Sequence, residues 1–252
     1  MVMLQSMTPY SVMTRTRSKE RALRAYLFAL LFFSSVFTPA GKAQQPIAIP
    51  AGAQLRSAIE PGQPDLGHLV SRGADLVAQG RYSEAEPLFK EFVRLHPNDP
   101  TGFYWLGKVA DETGRAQDAF HNYVESLNRA KANGMDSDEL RLNLGNTLLK
   151  LGYYKEATYD FQRAIEINNK SVNAHFNLAK LYLVTGQDTK ALQELNDCSS
   201  LGTNDSHVTL LRAWAFKRLG QLEESKREAH RFLEQASPSE PRDLQEFAHS
   251  QF

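Results

Sequence analysis

The side chains of this chain that could do chemistry are few and scattered. Its seven histidines are His68, His96, His121, His175, His207, His230 and His249. Two imidazoles hold a catalytic zinc from one helix face when they stand in an HExxH pattern, and no pair here has that spacing. Cys198 is the single cysteine, so an internal disulfide and a cysteine zinc site are both excluded. Asp197 beside it disfavours the thiolate that a nucleophile needs, and a buried, inert thiol is expected. No G-x-S-x-G elbow, phosphate-cradling glycine loop or C-x-x-C pair occurs. No catalytic residue, cofactor or metal is therefore expected, and the chain reads as a non-enzyme.

Charge narrows the partners. Lysine plus arginine and aspartate plus glutamate stand at 29 each, and the sequence pI is about 7.1. No strongly basic field exists to gather a polyanion, so nucleic acid is not an expected partner. With no covalent staple, stability must come from packing.

The elements that do the packing are best seen in Leu142–Asn168. Leu144, Leu148 and Leu151, then Ala157, Phe161, Ala164 and Ile165, recur every three or four positions and share one helical face. Gly152 interrupts the run, and a second helical run begins at Tyr154. One such hairpin cannot bury its own face, but a stack of them can.

From Leu66 onward the unit recurs. Turn glycines stand at Gly80, Gly114, Gly152, Gly186 and Gly220. Small residues of the first helices keep the same step: Gly73, Gly107, Gly145, Ala179 and Ala213. In the second helices Ala85, Ala119, Ala157, Ala191 and Ser225 follow, with Phe89, Tyr123, Phe161, Leu195 and Ala229 four residues later. The small residue marks where the two helices cross closest, the glycine accepts the left-handed turn, and the aromatic fills the space between helices. Four extra residues, around Asn133–Glu139, separate the second and third units. Asn133-Gly134 predicts a helix stop, and Asp136 with Glu139 a capping-box-like restart, with the stack unbroken.

These three columns in one register resemble the tetratricopeptide repeat over about Leu66–Ser237. The resemblance implies an all-α, right-handed α-solenoid of about five helix–turn–helix units: 66–99, 100–133, 138–171, 172–205 and 206–237. Arg72 and Arg212 replace the leucine found at Leu106, Leu144 and Leu178, as terminal units with a more polar side would. Beyond Ser237, Leu244, Phe247 and Ala248 share a face and predict a capping helix within 238–252.

The amino-terminal end has a different character. Arg15, Arg17, Lys19, Arg21 and Arg24 precede the apolar run Ala25–Phe37, and Gly41–Ala43 offers small residues. That order is the pattern of a signal peptide over 1–43, ending at Ala43. The protein is thus expected to be exported, periplasmic or secreted. The alternative is a retained anchor over residues 25–41, at the short end of what spans a bilayer. Residues 44–65 hold Pro46, Pro50, Pro61 and Pro64 and read as a flexible linker.

In proteins of this family the first helices line a concave groove that holds peptides. The resemblance therefore points to Tyr104, Lys108, Leu142, Asn146, Phe176, Lys180, Leu210 and Trp214 as partner-binding positions, with Asp111 and Lys217 one turn further on. Phe176 and Trp214 are expected to be exposed anchors rather than core. Some members clamp a terminal carboxylate. Asn146 and Asn177 match that clamp, but Leu142, His207 and Leu211 hold its cationic positions, so the clamp is absent. The reading is a non-enzymatic protein–protein scaffold for a protein or peptide ligand. A membrane-anchored assembly factor is the alternative, and from another class a regulatory subunit or an enzyme with an unrecognised site.

Overall fold

A computed structural model describes residues 66–134 and 136–235, together with Gln245, Ala248 and His249. They belong to one of two units of the chain, 38–252. The signal peptide and linker expected over 1–65 lie outside the described residues, as do Leu244 and Phe247 of the expected capping helix. Gln245, Ala248 and His249 are helical, and Ala248 is buried.

Among the described residues there are ten helices and no strand. They are α1 (Leu66–Ala78), α2 (Tyr82–Leu95), α3 (Pro100–Glu112), α4 (Ala116–Ala132), α5 (Asp138–Lys150), α6 (Tyr154–Ile167), α7 (Val172–Val184), α8 (Asp188–Ser200), α9 (Ser206–Arg218) and α10 (Leu222–Gln235). Odd and even helices pair as antiparallel hairpins. Each hairpin packs on the next, and successive first helices also touch: α1 with α3, α3 with α5, α5 with α7, α7 with α9. The fold is an all-α solenoid.

The hairpin turns repeat one hydrogen-bonded design. The amide after each turn glycine reaches back to a carbonyl five residues earlier: Arg81 to Leu76, Arg115 to Ala110, Tyr153 to Leu148, Gln187 to Tyr182 and Gln221 to Phe216, at 2.8–2.9 Å. That is the Schellman closure, and it needs a left-handed residue just before the donor. The five turn glycines supply it, with φ between +72° and +83°.

Within each hairpin the small column meets the aromatic column. A Cβ added to Gly73, Gly107 or Gly145 would sit 2.5, 2.6 or 2.7 Å from the ring of Phe89, Tyr123 or Phe161. In the fourth and fifth units Leu195 and Ala229 replace the ring, and alanine takes the place of glycine. In the fourth unit the alanine returns part of the volume that the ring gives up, whereas in the fifth both positions are alanine. Phe89, Phe161 and Leu195 are fully buried.

The four-residue excess between the second and third units lengthens α4 to 17 residues. It stops at Asn133 and Gly134, the latter with φ +69°. The restart differs from the expectation. Ser137, not Asp136, caps α5, its hydroxyl accepting from the Leu140 amide. Asp136 is drawn away by Arg141, whose guanidinium donates to both its carboxylate oxygens at 2.9 Å.

Candidate functional site

The eight expected groove positions all lie on α3, α5, α7 and α9, but not as an open face. Tyr104, Phe176 and Leu210 are each 4% exposed and Lys180 5%, whereas Lys108, Leu142, Asn146 and Trp214 are half-buried. Phe176 is thus not the exposed anchor expected from its register. First helices pack side by side, so a side chain on this layer lies between neighbours rather than above them.

Toward the amino-terminal side, polar groups of this layer satisfy one another across repeats. The Tyr104 hydroxyl donates to the Glu139 carboxylate and accepts from Asn143 Nδ2 at 3.3 Å. Burial, with Glu139 beside it, raises Tyr104 well above the ordinary phenol range, so it stays a donor. Lys150, which sequence reasoning did not single out, pairs with Asp111 at 2.7 Å. Asn177 donates to Asn146 Oδ1 at 2.9 Å, tying α7 to α5. The two asparagines noted for their match to a carboxylate clamp therefore hold each other.

The carboxy-terminal side of the layer is built differently. Lys180 Nζ lies 5.1 Å from the centre of the Phe176 ring, and Lys217 Nζ 5.8 Å from that of Trp214. Each cation sits over an aromatic face about one turn away on its own helix, an attractive geometry. No carboxylate pairs with Lys180 among the described residues. Burial alone lowers its ammonium to about 8. A desolvated lysine with no acid is expensive to keep and marks a functional candidate.

A second polar system links the two helices of single repeats. Arg141 on α5 donates to Asp160 on α6 at 2.6 Å while also holding Asp136. The pair is almost fully buried, and the two carboxylates hold the guanidinium firmly charged. One repeat later His175 on α7 meets Glu194 on α8 at 2.7 Å, at the same sequence separation of 19. The bond to Glu194 raises the imidazole above its ordinary value. Neither pair was found by sequence reasoning. The equal offsets of Arg141 and His175 from Gly145 and Ala179 were the signal available.

Cys198 is fully buried, its Sγ 3.6 Å from the Val172 carbonyl. Burial, then Glu194 and Asp197, push the thiol up to about 12, so it is inert as expected.

Comparison with known proteins agrees with this geometry. Residues 71–134 match the family model described as tetratricopeptide repeat, and residues 145–186 the model described as TPR repeat. Anaphase-promoting complex subunit 3 of Schizosaccharomyces pombe is 26% identical over 149 residues, which are 59% of this chain and 22% of that protein. The chain thus spans well under half the length of the curated relatives it matches. Among solved structures, YrrB, described as a TPR protein with an unusual peptide-binding site, superposes with TM-score 0.62 at 18% identity, covering 72% of this chain and 90% of its own. MamA superposes with TM-score 0.59 at 21% identity, covering 65% and 93%. At such identities the likeness is one of fold. Together the matched segments, the shared fold and the three residue columns support the tetratricopeptide repeat family for this chain, whose repeats suggest a protein–protein interaction scaffold.

Proposed function

We propose that this chain is an exported, non-enzymatic scaffold that holds a peptide or partner protein on its first-helix layer, with Lys180, seated over the Phe176 ring, at the centre of the grip. The observation that carries this reading is the buried Lys180, which lies over an aromatic ring and has no acid paired to it among the described residues. Elsewhere on the layer Asp111, Glu139, Asn146 and Asn177 are each bonded to a neighbour. A carboxylate brought by a partner would meet a cation already stripped of water, where a charge-assisted bond is strongest. YrrB, a protein of like fold, is described as binding peptide, which lends the reading support.

The experiment is affinity capture from the native source with the wild-type chain and with Lys180→Met. The expected outcome is a partner retained by the wild type and lost by the variant, at equal helical circular dichroism. A partner held equally by both would move the grip elsewhere. Export rests on the basic, apolar and small-residue order of the first 43 residues. Amino-terminal sequencing of the protein from its native source is expected to begin near Gln44. Recovery of an intact 15–37 segment in the membrane fraction would favour the anchor instead.

A further inference from the structure

Between α7 and α8 three ligand-type side chains converge. His175, Glu194 and Asp197 each offer one atom, and these atoms all lie within 4.8 Å of one another. The two acids are three residues apart on α8, which places them on one helical face, turned to the imidazole of α7. We propose that His175 Nδ1 and the carboxylates of Glu194 and Asp197 form a binding site for a divalent transition ion of the zinc class.

The ring is already oriented for that role. His175 Nε2 lies 3.2 Å from the Asn169 carbonyl oxygen, so an Nε2–H donates there, and Nδ1, on giving up the proton it shares with Glu194, would turn a lone pair to the two acids. A backbone carbonyl holding the far nitrogen is the usual outer partner of a metal-bound histidine. One imidazole with two carboxylates is a nitrogen–oxygen set that suits zinc, with a fourth position left for water. The charge also matches, since a neutral ring with two carboxylates carries two negative charges.

Asp197 is the group that a plain ion pair leaves unexplained. Glu194 alone accepts the hydrogen bond from Nδ1. The Asp197 side chain is half-buried beside Glu194 and makes no hydrogen bond among the described residues, so two acids face one ring. A divalent ion would relieve that repulsion. Metal–ligand bonds of about 2.0–2.2 Å set tetrahedral ligand atoms roughly 3.4 Å apart. Nδ1 and Glu194 Oε2, now 2.7 Å apart, would open by under an ångström, and the wider separations would close by a little more. Glu194 keeps 17% of its side chain exposed, which leaves an entry path. Cys198, though adjacent in sequence, turns its Sγ to the Val172 carbonyl and is not one of the three converging groups. In the preceding repeat Arg141 fills the same slot with a fixed positive charge, so no ion can bind there.

The test uses the full chain, stripped with a chelator and titrated with zinc chloride by calorimetry and thermal melting. The expected result is one zinc per chain with a raised melting temperature, and no such shift with magnesium. Asp197→Asn should weaken zinc binding at least about tenfold, the scale on which perturbing a metal site is felt. Because Asp197 bonds no donor among the described residues, this change leaves the packing alone. Glu194→Gln can still bond the imidazole and should weaken binding likewise. Failure of the wild type to bind zinc stoichiometrically would overturn the site. Equal binding in both variants would overturn it too, since the ion would then sit on other histidines. Cobalt added to the wild type should give the visible bands of nitrogen–oxygen coordination, and their persistence in Asp197→Asn counts against the proposal.

Discussion

The third and fourth repeats use one structural slot in two ways. In both, a cationic or titratable residue four positions before the small column reaches an acid on the second helix, 19 residues on. In the third repeat the slot holds Arg141, whose planar guanidinium engages Asp136 and Asp160 together, with 3% of its side chain exposed. In the fourth it holds His175 against Glu194, with a second acid, Asp197, left over. The backbone position fixes where two helices can be tied by charge. The side chain decides whether the positive charge is permanent or exchangeable. Arginine loses no proton in a protein and fills the slot alone, whereas histidine yields its proton and leaves room for another cation.

Breaking the fixed side of this contrast should have the largest effect. Arg141→Leu strands two carboxylates, one of them buried, and removing one partner of a buried pair typically costs about 3–5 kcal/mol. Urea unfolding monitored by circular dichroism should show the midpoint fall accordingly. The double change Arg141→Leu with Asp160→Leu should recover part of the loss, because both charges go together.

A third buried cation, Lys180, gives the opposite sign, since no acid repays its burial. Lowering an amine from 10.5 to about 8 corresponds to about 3 kcal/mol. In this case the folded state binds the proton more weakly than the unfolded state. Stability should therefore be at its low plateau below pH 8, rise between about 8 and 10.5, and level off above. Lys180→Met should be more stable than wild type at pH 7 and should not show that rise. Melting curves across pH 7–11 check both points; a flat wild-type profile would remove the desolvated lysine from the account.

His175→Leu should cost less than Arg141→Leu, about 1–3 kcal/mol, the scale for a buried group losing its partner. Glu194 is partly exposed and can recover water, which Asp160 cannot. Chemical unfolding of the two variants side by side sharpens the contrast, and equal losses would dissolve it. The smallest effect belongs to the rim. Tyr159 is 56% exposed and lies 5.9 Å from Arg141, so Tyr159→Ala should move stability by under about 0.5 kcal/mol.

Periodicity made the hairpins legible in the sequence. Gly73, Gly107 and Gly145 stood out as small residues in register with an aromatic column, and the structure brings each onto its ring. What stayed hidden depended on distance rather than period. Asp136 looks like a cap because it precedes a helix with Glu139 three residues on. Arg141 and Tyr104 each take one of these acids instead, and Ser137 caps α5. Phe176 looks exposed from its helical face alone, yet its burial depends on what lies beside α7, which the period of one helix does not encode. The His175 cluster needed residues from two helices, so a search for spacing along one helix passed over it.

The order in which the helices touch has a kinetic consequence. Every consecutive pair from α1 to α10 is in contact, and the longer contacts join first helices of neighbouring hairpins. Such a chain closes only short loops as it folds, so formation should be fast for its length and able to start at any hairpin. Unravelling should run from an end inward, because among the described residues the first and last hairpins each pack against one other hairpin rather than two. Amide hydrogens of α5, α6 and α7 should then exchange last, so that the slot holding Arg141 opens only in the rarest excursions of the chain.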